Sequence, residues 1–117
     1  MATDRQIDYV ELPARDLTAI KKFYSEAFGW TFQDFGASYC SFNDGRLDGG
    51  FYQADAESLR DSGAALIVLY ADQLEALVGV VVAAGGVISK EIFSFPGGRR
   101  FHFKDPNGNE LAVWSDK

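Results

Sequence analysis

The only histidine of this chain, His102, lies between Arg100 and Lys104, and an Asp-Pro-Asn-Gly stretch at 105–108 separates it from Glu110. An imidazole near a carboxylate has three possible roles: metal ligation, acid/base or hydrogen-bonding work in a pocket, or a structural bond. Metal binding needs at least three protein donors, so one histidine without partners is a poor site. If 98–104 is a strand, alternation places Arg100, His102 and Lys104 on one face and Phe101 and Phe103 on the other. Glu110 shares its face with residue 112 and Trp114, and Tyr9 with Glu11 form a similar pair near the start of the chain. His102 and Glu11 are therefore the acid/base candidates, Glu11 alternatively pairing with Arg15 or Arg100. Arg99-Arg100 could clamp a carboxylate or phosphate, or could be a solvated edge. The Pro and Gly of 105–108 suit a tight turn without any ion. No phosphate loop, dinucleotide fingerprint or nucleophile triad is present.

Elements that could position these groups follow from periodicity. Residues 7–12 read as a strand ending at Pro13. Asp16 caps a helix that buries Leu17, Ile20, Tyr24, Ala27 and Phe28 and closes at Gly29. Short strands are expected at 30–35, 38–43 and 47–53, followed by a polar linker at 54–63. The order then restarts. A strand spans 64–71, and Asp72 with Glu75 forms a capping box. The next helix carries a stripe of Leu74, Leu77, Val78, Val81 and Val82 and ends at Gly85-Gly86. Strands at 87–95, 98–104 and 110–115 complete the second set. Leu17 and Leu74 are 57 residues apart, as are Gly29 and Gly86. A β-α-β-β-β unit written twice is the simplest account. The expected class is α+β, a single domain over 1–117. Its two tandem units, about 5–55 and 64–116, form an open, curled mixed sheet.

Composition bounds the function. A net charge of −6 argues against nucleic-acid and anionic-membrane partners. The longest apolar run, 78–87, is too short to span a bilayer, and the first residues show no secretion signal. The single cysteine, Cys40, cannot form an internal disulfide, which points to a cytoplasmic protein with an inert, packed thiol. Ten phenylalanines in 117 residues suit either a dense core or a lined cavity.

Three stretches, YVELPARDLTAIKKFYSEAFGW at 9–30, LIVLYADQLEALVGVVVAAGG at 66–86 and FHFKDPNGNELAVW at 101–114, resemble the vicinal oxygen chelate superfamily, which includes glyoxalase I, extradiol dioxygenases and bleomycin-binding proteins. The likeness is strongest to glyoxalase-related proteins of unassigned reaction. It implies sheets curled into a cup, commonly completed by a second subunit. In metal-dependent members, the first and last strands of each unit supply the ligands. Counting seven residues back from Asp16 places one ligand position at Tyr9, and the 57-residue repeat places its counterpart at Leu66. Seven residues beyond Asp105 lies Ala112, and the fourth position falls near 50–55, where Gln53 and Asp55 are the polar candidates. Three of these positions cannot ligate in the family manner, so no metal or other cofactor is expected. The resemblance also turns Tyr9, Glu11, Val68, Tyr70, Arg100, Glu110 and Trp114 toward the cup, where Trp114 could stack a planar ligand. The expectation is a homodimeric, metal-free binder of an unknown small molecule. Alternatives are a lyase or isomerase using cup acid/base groups, and a non-catalytic interaction domain.

Overall fold

A computed structural model describes residues 2–117; Met1, the first residue of the expected domain span, lies outside the described residues. The chain runs β1 (Tyr9–Ala14), α1 (Leu17–Phe28), β2 (Thr31–Asp34), β3 (Tyr39–Asn43), β4 (Asp48–Gln53), a 3-10 turn (Arg60–Ser62), β5 (Ile67–Tyr70), α2 (Leu74–Ala83), β6 (Val87–Phe95), β7 (Gly98–Lys104) and β8 (Glu110–Ser115). Two four-stranded mixed sheets result, ordered β1-β4-β3-β2 and β5-β8-β7-β6. In each, the unit's first strand pairs parallel to its last and the rest is antiparallel. The duplicated β-α-β-β-β reading is the architecture observed.

Local chemistry accounts for the first helix. The Asp16 carboxylate accepts from the Ala19 N–H at 3.1 Å, and Gly29 closes the helix with φ of 73°. That left-handed conformation is costly for a residue with a Cβ. The apolar face buries Ile20, Phe23, Tyr24 and Ala27. α2 departs from expectation at its start. Gln73, not Asp72, is the N-cap, and it makes no side-chain cap bond. Asp72 instead accepts from Lys117 Nζ, while Glu75 pairs with Arg99. The capping-box residues are thus held by groups distant in sequence. Of the α2 stripe, Leu74 and Val81 are buried, Leu77 and Val78 partly so, and Val82 is exposed.

One apolar core serves both units. Phe23 and Phe28 of α1 pack on Phe103 of β7 at 5.9 and 5.6 Å between ring centroids, and Tyr24 stacks on Trp30 at 4.4 Å. Trp30 precedes β2 and fills this core, stacked at 4.4 Å on Phe42. A buried polar knot closes the same seam. Asp105 accepts from the Tyr24 hydroxyl (2.8 Å), the Asn107 and Asn109 N–H groups and the Asn109 amide. Asn107 and Asn109 in turn donate to the Pro13 carbonyl, and Asn107 accepts from the Arg15 N–H. The turn at 105–108 therefore clamps the second unit to the end of β1. Burial raises the Asp105 pKa, partly offset by these donors.

Candidate functional site

The faces turned away from the shared core carry the candidate residues. On the first sheet these are Tyr9 and Glu11 of β1, flanked across the strands by Asp48 and Gly50, then by Tyr39, Ser41 and Asn43 of β3. Tyr39 donates to Glu11 Oε2 at 2.8 Å, and its oxygen lies 2.6 Å from that of Tyr9. With the Tyr39 proton directed at Glu11, Tyr9 is the donor to Tyr39. The hydroxyl of Tyr39 is pushed well above the ordinary tyrosine range by burial and by its bonds to Tyr9 and Glu11. Glu11 thus meets the Tyr39 hydroxyl, and among the described residues it has no ion pair; Arg15 is taken by Asp55 and Glu57. Neither arginine expected as a partner reaches Glu11.

Gly50 makes this hydroxyl chain possible. A Cβ on that residue would overlap the hydroxyl of Tyr39 and approach that of Tyr9. The strand register also assigns the fourth ligand position. Val68 pairs with Ala112, and Glu11 pairs with Gly50. Since the repeat carries Glu11 onto Val68, the counterpart of Ala112 is Gly50. Gln53 and Asp55, the sequence-level candidates, are occupied elsewhere: Gln53 donates to the Arg15 carbonyl, and Asp55 pairs with Arg15 at 2.6 Å. The slip arose because β6 has 9 residues where β2 has 4, which breaks the 57-residue offset beyond the helix.

On the second sheet the register builds two rows across the strands. Phe93, Arg100, Trp114 and Tyr70 form one; Lys90, His102, Ala112 and Val68 form the next. His102 is 0 % exposed, although it shares the face of Arg100 and Lys104 as alternation required. Its Nδ1 lies 2.9 Å from Glu110 Oε2, and that carboxyl is held below the ordinary glutamate range, chiefly by this bond. Its Nε2 has no hydrogen-bond partner among the described residues, and neither has the buried Nε of Arg100. The Arg100 guanidinium lies over the rings of Phe93 and Phe95, 5.3 and 5.7 Å from their centroids. Tyr70 meets Trp114 edge-on at 5.2 Å and donates to Asp116.

Of the sequence-level candidates, the structure brings Tyr9 and Glu11 together on one face. It joins His102 to Glu110 and ranks Arg100, Trp114 and Tyr70 beside them. Tyr39, Phe93 and Phe95 were missed. Alternation along β3 signals Tyr39, but the two phenylalanines are hidden by register shifts in β6 between Ile88 and Phe93. A cleft of ≈ 710 Å³ is lined from both units by Val10, Trp30, Phe42, Leu69, Tyr70 and Trp114 among others. No group of three His, Cys, Asp or Glu side chains suited to a metal ion occurs among the described residues. Cys40 is buried, and burial raises its thiol pKa, in line with an inert packing role.

Comparison with known proteins matches residues 6–113 to the Glyoxalase/Bleomycin resistance protein/Dioxygenase superfamily. No curated protein sequence matches the chain. Among solved structures, a glyoxalase/bleomycin resistance protein/dioxygenase family enzyme from Burkholderia phytofirmans PsJN superposes with a TM-score of 0.77 at 21 % identity, covering 95 % of this chain and 100 % of that one. A lactoylglutathione lyase from Agrobacterium tumefaciens gives 0.73 at 21 %, covering 97 % and 96 %. A glyoxalase-related enzyme from Fulvimarina pelagi gives 0.73 at 22 %, covering 95 % and 88 %. At such identities the likeness establishes the fold.

Proposed function

The chain belongs to the glyoxalase/bleomycin resistance protein/dioxygenase superfamily, and from that premise we propose that it binds a small organic molecule on its concave faces without a metal in the family position. The observation that carries this reading is the set of residues at the four positions: Tyr9, Gly50, Leu66 and Ala112. A divalent ion in such a fold needs imidazole and carboxylate donors on facing strands. Three of these four have none, and the hydroxyl of Tyr9 is committed to Tyr39. The residues do not fit the ion, and no step of the chemistry passes through one.

What the faces offer instead suits an organic ligand. Tyr9, Tyr52, Val68 and Tyr70 are exposed large side chains of the outward-turned strand faces. Aromatic walls with few polar groups are the usual lining of small-molecule sites. Exposed apolar side chains and the open strand edges β1 and β5 also support a homodimer, in which a two-fold copy covers them. The lone Cys40 supports a reducing, cytoplasmic setting. No helix of the described residues is long and apolar enough to cross a membrane. A second reading, a lyase or isomerase, is favoured by one feature, the buried His102–Glu110 pair, whose geometry is that of an oriented acid/base imidazole.

Metal analysis and a thermal-shift screen of the purified protein test both halves. The expected results are no stoichiometric zinc, nickel or iron, and a raised melting temperature with at least one compound among glutathione thioesters, catechols and aromatic antibiotics. A ligand at one hundred times its dissociation constant adds about 2.7 kcal/mol, which such a screen detects. Stoichiometric metal would refute the metal-free reading, and a wholly silent screen would refute small-molecule binding.

A further inference from the structure

Two buried polar atoms side by side on one sheet face, the Nε–H of Arg100 and the Nε2 of His102, lack partners among the described residues. The great majority of buried polar groups are hydrogen-bonded, so an orphaned pair on the face that is to bind a ligand identifies what that ligand must bring. Arg100 is always charged, half-buried, and forms no salt bridge among the described residues, whereas Arg15 and Arg99 both have carboxylate partners. It calls for an anion, and a planar carboxylate matches a guanidinium fork. His102 calls for the opposite. The ionised Glu110 only accepts, so Nδ1 carries a proton, and in the neutral form of the ring Nε2 presents its lone pair. Residues two apart on a strand are separated by roughly 6.6 Å. One small molecule with an acceptor anion and a neighbouring donor satisfies both atoms.

The surroundings narrow the class. Phe93 and Phe95 underlie Arg100, and Trp114 faces it across the strand pair. Ala112, the cross-strand neighbour of His102, contributes only a methyl group. The Phe93 ring lies 5.8 Å from the imidazole and against the guanidinium, and so helps to shield both atoms. It stands on the edge strand β6, next to the register shifts, so entry of a ligand requires this ring to move. We propose that Arg100 and His102 together form a recognition site for an aromatic 2-hydroxy carboxylate, the carboxylate taken by Arg100 and the hydroxyl donating to His102 Nε2. This rests on the small-molecule reading above and names its ligand class.

The test uses three probes on the full chain: mandelate, phenylacetate, which lacks the hydroxyl, and benzyl alcohol, which lacks the carboxylate. His102 is the only histidine, so its two ring nitrogens are uniquely readable in long-range proton–nitrogen NMR spectra. The free protein is expected to show a protonated Nδ1 and a bare Nε2, and mandelate is expected to shift Nε2. Its affinity should exceed that of each truncated probe by about tenfold or more, one good hydrogen bond to a buried group. Arg100→Leu should remove the advantage of mandelate over benzyl alcohol. Should that variant not fold, the three-probe comparison on the native chain decides alone. Equal affinities for the three probes, no shift at His102, or a proton on Nε2 in the free protein would each overturn the proposal. If these probes fail while another compound in the thermal-shift screen binds, only this ligand class is wrong; if nothing binds, the small-molecule reading falls with it.

Discussion

His102 illustrates how a residue can lie on the expected face and still not be a surface residue. It is fully buried, so His102→Ala would leave Glu110 without its main partner as well as opening a hollow. The sharper probe is Glu110→Gln, which preserves shape and removes charge. The carboxyl of Glu110 is depressed, first by the bond to His102. A depressed carboxyl contributes stability above its unfolded value, about 4.3 for glutamate, and loses it as pH falls through the lower folded value. Glu110→Gln is therefore expected to cost about 1–2 kcal/mol at neutral pH, from the lost charge-assisted bond. Denaturant unfolding at several pH values should show the gap between the two proteins closing below about pH 4.

Among the elements, the turn before β8 and the helix α1 hold the units together. Tyr24 donates to the buried Asp105, and burial, followed by the neighbouring Asp105, raises the Tyr24 hydroxyl pKa. Tyr24→Phe removes one of the donors to a largely buried carboxyl group, and is expected to lose about 1.5–3 kcal/mol in chemical denaturation. Phe103 of β7 is fully buried against Phe23 and Phe28, so Phe103→Ala should lose roughly 3–5 kcal/mol by the same measurement. A loss under 1 kcal/mol at Phe103 would contradict the shared core described above. The helix α2 shows the reverse case: its expected cap residues are recruited by Lys117 and Arg99, and the helix forms without a side-chain cap.

For the whole molecule, light scattering at micromolar concentration is expected to report a dimer, and a monomer would remove the case for a covered concave face. Tyr9→His combined with Leu66→His and Ala112→Glu restores imidazole and carboxylate groups at family positions. Three protein ligands suffice for an open site, so calorimetry should detect divalent-metal binding by the triple variant and, on the metal-free proposal, none by the native chain. A folded triple variant with no affinity would show that these positions do not converge.

The sequence by itself determined the order of elements, the twofold repeat, the Asp16 and Gly29 caps of α1 and the side chains that share each strand face. These are local properties, set by side-chain periodicity and by bonds within a few residues. Tertiary structure alone decided the rest. Cross-strand register assigned the fourth family position to Gly50, because insertions in β6 and beyond break the sequence offset without breaking the pairing. It also carried Tyr39 onto Glu11, and the turn at 105–108 onto Pro13 and Arg15, across separations of 28 and more than 90 residues. The burial of His102 was equally invisible along the chain, since alternation specifies which face a side chain takes and only the neighbouring strands decide whether that face meets water.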